Sequence, residues 1–404
     1  MLSYLESSVK SNCLGCGACK QICSPGAIEL VFDDEGFRYP SINKELCVQC
    51  NLCTSVCPIN NKTPRYKEEK KVFGGYHLDA KIRDRSTSGG AFTAIVDVFC
   101  DENYVIFGAE SNGLFVFHSS ITDKAEIDKF RKSKYSQSDM GSVYIECKEY
   151  LKDGKKVLFS GTPCQISALK NFLGRDYDNL LTVEVVCEGV PSPLYIKKYE
   201  EFLEEKFGSR MVSLDYRFKD SNSKTKPTKA KWDFEVMKIT LENGKVLKYD
   251  RWFNPFWSIW LGHLMTRPSC YICPFTTQER CADITLGDLW GVHLYCPDLY
   301  GKNLGCSLIV CNSAKGKNII NKLNTVFYGR ELDFNEALKY QSPLRKNIDC
   351  NPLREECIRD LKSKDISFSE INKRWSKKPT LKLLYQKYVW GNRQKIAYWN
   401  LFHK

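Results

Sequence analysis

Hydrophobic and polar residues follow two different patterns along this chain. The first 60 residues contain little apolar sequence, whereas short apolar runs separated by amphipathic stretches begin at Val72. Such runs predict buried strands at 72–76, 104–109, 114–117, 155–160 and 181–186. Residues 91–99 are apolar at helical spacing and predict a helix. Alternating strands and helices are typical of α/β proteins, so we predict a mixed α/β body behind a small N-terminal segment.

Cysteine is the unusual residue of this composition. The chain has 20 cysteines in 404 residues, and eight of them lie within the first 57. The N-terminus lacks a basic segment followed by an apolar one, and no apolar run approaches about 18 residues, so we expect a cytoplasmic protein. In a reducing compartment, clustered cysteines bind metal more often than they form disulfides. A metal-binding role is therefore the first hypothesis for these cysteines.

Two runs of four cysteines share the spacing C-x2-C-x2-C-x3-C. Their members are Cys13, Cys16, Cys19 and Cys23, and then Cys47, Cys50, Cys53 and Cys57. Two residues between ligands let a turn present successive sulfurs to one iron–sulfur cube. We expect the fourth cysteine of each run at the start of a helix that points the other way, where it binds the other cube. The predicted ligand sets are therefore Cys13, Cys16, Cys19 and Cys57 for one 4Fe–4S cluster, and Cys47, Cys50, Cys53 and Cys23 for the second.

The alternative for these runs is a pair of zinc sites, but four thiolates satisfy zinc and leave the duplicated runs unexplained. Gly15 and Gly17 allow the backbone to approach a cluster closely. Pro58 follows Cys57 as in ferredoxins, whereas Ser24 precedes Pro25 in the first run. A segment with so little apolar sequence is expected to fold around its clusters. Residues 10–60 resemble the two-cluster ferredoxin domain.

Several loops of the predicted body carry residues suited to a cofactor. The small residues 86–90 open the helix at 91–99 and offer N–H groups to a phosphate, although such residues are also ordinary helix caps. Cysteines follow two predicted strands, and a C-x2-C pair lies further on. Because the ends of neighbouring parallel strands meet at one edge of a sheet, we predict a third 4Fe–4S site there. Its cysteines are Cys164, Cys187, Cys270 and Cys273.

Five motifs occur in a fixed order: S-T-S-G-G at 86–90, S-K-Y-S-Q-S at 133–138, G-T-P-C-Q at 161–165, C-E-G-V-P-S at 187–192, and C-x2-C followed by A-D-I-T-L-G-D-L-W-G at 282–291. Over about residues 10–320 this order resembles the β-subunit family of deazaflavin-reducing hydrogenases and dehydrogenases, in its stand-alone bacterial form with a fused ferredoxin head. The resemblance implies FAD beside one 4Fe–4S cluster held by the four body cysteines. It also implies relatives that reduce a deazaflavin, chlorophyll-type tetrapyrroles, or unassigned substrates encoded near sugar-polymer genes.

For FAD we expect contacts from Ser86, Ser88, Gly89, Gly90, Lys134, Tyr135, Gln137, Ser138, Asp283, Gly287 and Asp288. A lysine near the ring would stabilise the reduced flavin by opposing its charge. Turn and cap roles are the alternative for the last three. His118 follows an alternating strand and is the candidate proton donor to substrate, with a structural histidine as the alternative. The aromatic segment 251–264 is either a lid over the ring or part of the core.

Cys281 competes with Cys164 as the fourth ligand of the third cluster, because it lies eight residues after Cys273. We keep Cys164, since the family does not generally place a cysteine at the later position. Seven further cysteines lack ligand spacing and are expected to be core thiols: Cys100, Cys147, Cys296, Cys306, Cys311, Cys350 and Cys357.

The 60 Lys and Arg residues outnumber the 48 Asp and Glu residues by 12. Each 4Fe–4S cluster with four thiolates adds about −2, and nothing resembles a nucleic-acid-reading helix or aromatic sheet, so we expect no nucleic-acid partner. The remaining excess lies after Glu370, where nine basic and no acidic residues occur. Among them are Trp375, Tyr385, Tyr388, Trp390, Tyr398, Trp399 and Phe402. This basic tail is predicted to be helical and either packs on the body or contacts the inner face of the membrane.

The predicted fold class is α+β or α/β in three parts: a two-cluster 4Fe–4S ferredoxin domain at 1–62, a mixed α/β flavin- and 4Fe–4S-binding domain at 72–325, and a helical, basic extension at 326–404. The polar stretch 60–71 is predicted to be a linker. The predicted activity passes electrons from a ferredoxin-like donor through three 4Fe–4S clusters to FAD and a two-electron acceptor, with a sugar-polymer role as one setting. The alternatives are a deazaflavin oxidoreductase running in the other direction and a non-enzymatic electron-transfer subunit. Expected partners are a ferredoxin or deazaflavin and a small-molecule or lipid-linked substrate.

Overall fold

The structure of the chain is a computed structural model that describes residues 2–67, 69–219, 235–250, 254–299, 305–378, 380–388 and 401. Within these residues the strands are β1 Ile28–Phe32, β2 Arg38–Ile42, β3 Lys71–His77, β4 Tyr104–Asn112, β5 Phe115–Ile121, β6 Lys156–Gly161, β7 Leu180–Val185, β8 Met211–Lys219, β9 Glu235–Leu241, β10 Val246–Asp250, β11 Ile284–Asp288, β12 Ser307–Cys311 and β13 Phe327–Leu332.

The α-helices within the same residues are α1 Tyr4–Ser7, α2 Ala18–Ile22, α3 Leu52–Ser55, α4 Ala80–Arg85, α5 Ala91–Phe99, α6 Val143–Lys152, α7 Pro163–Leu173, α8 Leu194–Phe207, α9 Pro255–Leu261, α10 Val292–Tyr295, α11 Ala314–Ile320, α12 Phe334–Lys339, α13 Arg354–Lys362, α14 Phe368–Trp375 and α15 Leu381–Tyr388. Short 3-10 helices cover Lys10–Asn12, Lys124–Lys129, Pro268–Ile272, Leu323–Thr325 and Ser342–Leu344.

An eight-stranded mixed sheet forms the body, in the order β13-β3-β12-β11-β7-β6-β4-β5. The central strands β11, β7, β6 and β4 are parallel, and the outer pairs are antiparallel. Val157, Leu158 and Phe159 of β6 are fully buried, because a central parallel strand is covered on both faces. The predicted mixed α/β class is confirmed, and the parallel strands bring their carboxyl ends to one edge of the sheet.

Local sequence explains why α7 begins directly after β6. Thr162 and Gln165 form a reciprocal capping box, in which the Thr162 N–H donates to Gln165 Oε1 at 2.8 Å, and Pro163 occupies the first turn. This turn places Cys164 at the carboxyl end of β6. The helix predicted at 91–99 is α5, with the same bounds.

The helices of the N-terminal head differ from the prediction. Gly17 has φ +75° and Asn51 has φ +60°, and these left-handed residues start α2 and α3 before the third cysteine of each run. Cys23 and Cys57 therefore follow their helices instead of starting them. The expectation that the fourth cysteine begins a helix is wrong for both runs.

The head shares one hydrophobic core with the body. Leu14, Ala18 and Val56 pack in the same cluster of buried residues as Tyr144 and Phe159. Some of the apolar side chains of the head are thus buried against the sheet domain.

The segment 60–71 is bound along the body and does not behave as the predicted linker. Thr63 is buried and its Oγ1 donates to Asn171 Oδ1 at 2.8 Å. Arg65 donates to the carbonyl of Pro274 at 2.6 Å. Polar side chains hold this segment through hydrogen bonds. The linker prediction considered only its low hydrophobicity and therefore missed these contacts.

A second core is rich in aromatic residues. Phe256, Trp257 and Trp260 of α9 are buried in it together with residues of α8, α13 and α14. Of the two alternatives for segment 251–264, a lid over the ring or part of the core, the described part fits the core. Residues 251–253 lie outside the described residues.

The C-terminal part begins with a strand. β13 pairs with β3 in the large sheet, so the sheet extends beyond the predicted boundary at 325 and the helical part starts with α12. Trp375 of α14 is buried and its indole N–H donates to Asp360 at 2.9 Å. Leu381 and Tyr385 of α15 are exposed. The aromatic residues Trp390, Tyr398, Trp399 and Phe402 of the predicted tail lie outside the described residues.

Among the described residues no helix is both long and apolar enough to cross a membrane. Of the seven predicted core thiols, six are buried. Cys350 is exposed, because it lies in the loop before α13, and this prediction is wrong.

Candidate iron–sulfur and flavin site

The first group of head thiols comprises Cys13 and Cys16 in the loop before α2, Cys19 in α2 and Cys57 after α3. Burial raises the pKa of Cys16 well above its ordinary value, and the neighbouring thiols of Cys57 and Cys19 add to this. Burial likewise raises the pKa of Cys19, with further contributions from Cys13 and Cys57. These four thiols therefore lie near one another, in the combination predicted for the first cluster. We call them the first head group.

The second head group comprises Cys23, Cys47, Cys50 and Cys53. Burial raises the pKa of Cys53, and the proximity of Cys23 contributes in the same direction. Cys50 is exposed, between the exposed side chains of Val48 and Leu52. This group lies nearest the solvent.

The third group lies at the carboxyl edge of the parallel strands. Burial raises the pKa of Cys187 well above its ordinary value, and Cys270, Cys164 and Cys273 are the neighbouring thiols that raise it further. Burial, with smaller effects of the other thiols, raises the pKa of Cys270 to about 11 and that of Cys273 to about 12. We call these four the body group.

Cys281 lies apart from the body group. It is buried, its Sγ contacts the carbonyl of Pro163 at 3.9 Å, and burial raises its pKa to about 12. Its leading charged neighbours are Glu184, Lys170 and Arg280, with no thiol among them. This placement favours Cys164 as the fourth member.

The donor chemistry of the three groups fits iron–sulfur clusters. Each group offers four free thiols, and hydrogen bonds to the sulfurs are a feature of such sites. The Gly189 N–H donates to Cys187 Sγ at 3.4 Å, and Thr162 Oγ1 lies 3.2 Å from Cys164 Sγ. No group of three or more His, Cys, Asp or Glu side chains among the described residues has the arrangement that binds a single metal ion.

Gln137 and Ser138 were predicted beside FAD, and the structure places both between the head and the body. Gln137 Nε2 donates to the carbonyls of Leu14 and Gly15, each at 3.0 Å. The Ser138 hydroxyl accepts a hydrogen bond from Gln165 at 2.8 Å. Both side chains therefore bind protein groups next to the first head group.

Lys134 and Tyr135 also bind protein groups. The Lys134 ammonium donates to three main-chain carbonyls, those of Ala109, Lys129 and Arg131, at 2.8–3.0 Å. Burial lowers its pKa to about 8. All three donors are in use, so this lysine is not directed at a ring edge as expected. Tyr135 packs edge-on against Trp257 and Trp260 of the aromatic core, with ring centroids 4.8 Å apart in both pairs.

The loop 86–90 is bound by the neighbouring strand. Ser307 Oγ accepts hydrogen bonds from the N–H groups of Gly89 at 3.0 Å and Ala91 at 3.4 Å. The Ser86 hydroxyl donates to the carbonyl of Ile82, and Gly90 caps α5 with φ +86°. Two of the N–H groups predicted to hold a phosphate are therefore occupied by Ser307.

Asp283 has a structural place. Its carboxylate is buried and accepts hydrogen bonds from the Thr182 N–H at 2.8 Å, the Thr182 hydroxyl at 2.6 Å, the Tyr66 hydroxyl at 3.0 Å and the Ser313 hydroxyl at 2.6 Å. Gly287 packs so closely that a Cβ there would lie 3.0 Å from Val186 Cγ2. Asp283, Gly287 and Asp288 were predicted to close the cofactor pocket. Of these three, Asp288 lines the pocket described next.

That pocket brings together the loop 86–90 and the end of β11. It is lined by Thr87, Ser88, Asp288, Leu289, Trp290, Val292, Leu299, Gly305 and Cys306. Arg217 donates to Asp288 at 2.6 Å, and its guanidinium lies over the ring of Trp290 with the centroid at 5.9 Å. An indole ring and hydroxyl groups thus surround one narrow pocket beside the Arg217–Asp288 pair.

Sequence reasoning missed Arg217, Trp290 and Arg267. Trp290 could have been noticed because it belongs to the motif at 282–291. Arg267 could have been noticed because it lies three residues before the predicted cluster ligand Cys270. Arg217 is a charged residue within a strand and carries no such signal. Its position beside the pocket follows from its ion pair with Asp288.

His118 is buried and lies on β5 with 5% of its surface exposed. Its Nε2 is 3.1 Å from the carbonyl of Ser160, and its Nδ1 has no hydrogen-bond partner among the described residues. Burial lowers its pKa to about 4. A buried, neutral imidazole favours the structural alternative over the proton donor.

His118 is expected to make stability pH-dependent. Because its pKa falls from 6.5 to about 4 on folding, the unfolded chain binds the extra proton between these values. The contribution of neutral His118 to the free energy of unfolding is complete above about pH 6.5. It is lost as the pH falls towards 4, which lowers the free energy of unfolding by up to about 3 kcal/mol. His118→Gln should flatten this slope, measured by denaturant unfolding at pH 7 and pH 5. An equal slope in wild type and variant would contradict the assignment.

Two family models match the chain. Residues 154–329 match the model for the C-terminal region of the beta subunit of coenzyme F420 hydrogenase/dehydrogenase, and residues 8–63 match the 4Fe-4S dicluster domain. The class is thus that of iron–sulfur electron-transfer oxidoreductases. Residues 154–329 thus form the C-terminal domain known from the beta subunit of coenzyme F420 hydrogenase/dehydrogenase, residues 8–63 form a 4Fe-4S dicluster domain, and the predicted resemblance is confirmed.

The chain is similar to two proteins of known sequence and to one of known structure. The chain is 28% identical over 314 residues to the coenzyme F420-dependent sulfite reductase of Methanocaldococcus jannaschii, a match that covers 76% of this chain and 45% of the relative. It is 31% identical over 67 residues to an uncharacterized ferredoxin of that organism, covering 15% of this chain and 86% of the relative. A chain of the F420-reducing NiFe hydrogenase complex from Methanosarcina barkeri superposes with a TM-score of 0.42 at 17% identity, covering 69% of this chain and 91% of that one. The chain spans less than half the length of the sulfite reductase.

Proposed function

We propose that this protein takes electrons at its N-terminal head and delivers them in pairs, through FAD, to a small-molecule acceptor. When bound, 4Fe–4S clusters pass single electrons and FAD combines two of them. The observation that carries the proposal is the adjacency of the first head group and the body group: Cys164 is among the thiols that, after burial and Cys57, raise the pKa of Cys16.

Residues of the body hold these two groups together. The Tyr144 hydroxyl lies 3.0 Å from the carbonyl of Cys16 and 3.4 Å from that of Gln165, the residue after Cys164. Gln21 accepts from the Tyr144 N–H at 2.8 Å. A buried tyrosine thus ties the first head loop to the start of α7 and sets the separation of two thiol groups.

The order of the three groups supports a relay between the surface of the head and the pocket. The second head group includes the exposed Cys50 and is suited to receive electrons from a ferredoxin-like donor. The body group lies beside the end of β7, whose neighbour β11 ends at Asp288 in the pocket. The proposed flavin site therefore lies next to the innermost thiols.

A second candidate function is oxidation of a reduced deazaflavin, with electrons leaving through the head. The similarity to a coenzyme F420-dependent sulfite reductase favours it. Both functions use the same residues and differ only in the direction of transfer.

Anaerobic purification tests the cofactor content. We expect about twelve irons, an equal amount of sulfide and one FAD per chain, by chemical analysis and by absorption. Mixing the protein with reduced ferredoxin or with reduced deazaflavin then decides the direction, because the productive donor bleaches the flavin. About eight irons and no flavin would contradict the proposal.

A further inference from the structure

Arg267 is a buried cation at the junction of head and body. It precedes the 3-10 helix that carries Cys270, and 1% of its surface is exposed. Its Nε donates to the carbonyl of Cys13 at 3.0 Å, one terminal nitrogen donates to Gln137 Oε1 at 2.9 Å, and the other donates to the carbonyl of Arg38 at 3.0 Å. The guanidinium therefore holds two segments of the head to the body.

The partners of Arg267 are all uncharged. Its guanidinium also lies over the rings of Tyr39 and Phe37, with centroids at 4.4 and 5.3 Å. Among the described residues no carboxylate forms an ion pair with it. Burying an unpaired charge is costly, so a buried guanidinium requires a negative charge nearby.

The nearest sources of negative charge are the cysteines on both sides. Arg267 touches the main chain of Cys13 in the first head group. On the other side, the Cys270 N–H of the body group donates to the carbonyl of Arg267 at 3.0 Å. A Cβ at Gly15, which has φ +68°, would lie 3.0 Å from the Arg267 Cζ, so the head loop needs glycine to approach it.

We propose that Arg267 is a positioning residue that clamps the first head loop onto the body and supplies the positive charge balancing the thiolates of both adjacent groups. This inference rests on the proposed function, in which both groups hold clusters. A cluster gains a negative charge on reduction, so a nearby fixed cation favours its reduced form. Arg267 therefore raises the reduction potentials of these two clusters relative to that of the second head group.

The test is a redox titration of the whole protein, followed by electron paramagnetic resonance, with iron content measured in parallel. In Arg267→Gln the reduction equilibrium of the two adjacent clusters should fall roughly tenfold, which is about 59 mV for one electron. The third cluster should change little, and iron should stay at about twelve per chain. Arg267→Lys keeps the charge and should stay close to wild type in potential.

A matched control removes another arginine at the same junction. Arg354 is buried and pairs with Glu35 of the head, so its charge is already balanced. The double change Glu35→Gln with Arg354→Gln removes both charges and should leave the three potentials unchanged.

Several results would overturn the inference. Unchanged potentials in an iron-complete Arg267→Gln protein would do so while leaving the proposed function intact. If the Arg267→Gln variant loses its iron, the Arg267→Lys variant is decisive. Full iron content and wild-type reduction potentials in Arg267→Lys would support the proposed role of the charge, whereas loss of iron in Arg267→Lys as well would contradict that role. A wild-type protein with fewer than three clusters would instead contradict the proposed function.

Discussion

Cys164→Ser is expected to lose about four of about twelve irons and to abolish flavin reduction by electrons that enter at the head. The reason is the place of this thiol among Cys187, Cys270 and Cys273, at the turn between β6 and α7. A serine hydroxyl is a far poorer ligand for iron than a thiolate. Iron analysis and stopped-flow absorption with a reduced ferredoxin provide the two measurements.

Cys281→Ser is the matched control. This thiol is buried eight residues after Cys273, and its neighbours are charged side chains and the carbonyl of Pro163. We expect full iron content and normal flavin reduction, with at most a small loss of stability. Equal loss of iron in the two variants would show that the body group has been assigned wrongly.

Asp283→Ala is expected to destabilise the folded protein by about 3 kcal/mol or more. The change leaves the Thr182 N–H and the hydroxyls of Tyr66 and Ser313 without their acceptor in a buried place. Denaturant unfolding followed by tryptophan fluorescence measures the loss. Flavin content of the remaining folded protein should be normal, because Asp283 lies away from the pocket lining.

Two asparagine variants complete this comparison. Asp283→Asn should be milder than the alanine change, since the hydroxyl oxygens of Tyr66 and Ser313 can accept hydrogen bonds from the new amide N–H groups while the amide oxygen still accepts from the Thr182 N–H. Asp288→Asn weakens the pair with Arg217 at the pocket and should lower flavin content more than stability. A protein that loses flavin on substitution of Asp283 but not of Asp288 would reverse the roles assigned to them.

The parts of the fold that were predictable depend on short-range patterns. The buried runs of β3, β4 and β6 and the helix α5 were recognisable because each is apolar with a regular period. The helix starts in the head were missed, since they depend on left-handed residues, Gly17 and Asn51, whose conformation has no periodic signal. The packed segment 60–71 was missed for a related reason: hydrogen bonds hold it, and its composition is polar.

The predicted flavin residues illustrate the limit of motifs. Lys134, Gln137 and Asp283 lie in motifs that define the family resemblance, but their side chains bind main-chain carbonyls, the head loop and a buried hydroxyl cluster. A motif identifies residues that matter without saying whether they touch a ligand or hold the frame around it. Arg217 and Trp290 emerged only from their contacts with each other and with Asp288.

The amino-acid sequence alone determined the chemistry: the repeated spacing of the head cysteines selects 4Fe–4S ligands, because two-residue intervals match the corners of one cube. It also determined the mixed α/β class, through the alternation of apolar strands and helices. Only the tertiary structure decided how the head docks, that Cys281 lies apart from the body group, and that Arg267 lies buried between two thiol groups. These are contacts between residues as far as 319 positions apart. Their distances are set by packing across the whole fold, and no local pattern in the chain encodes them.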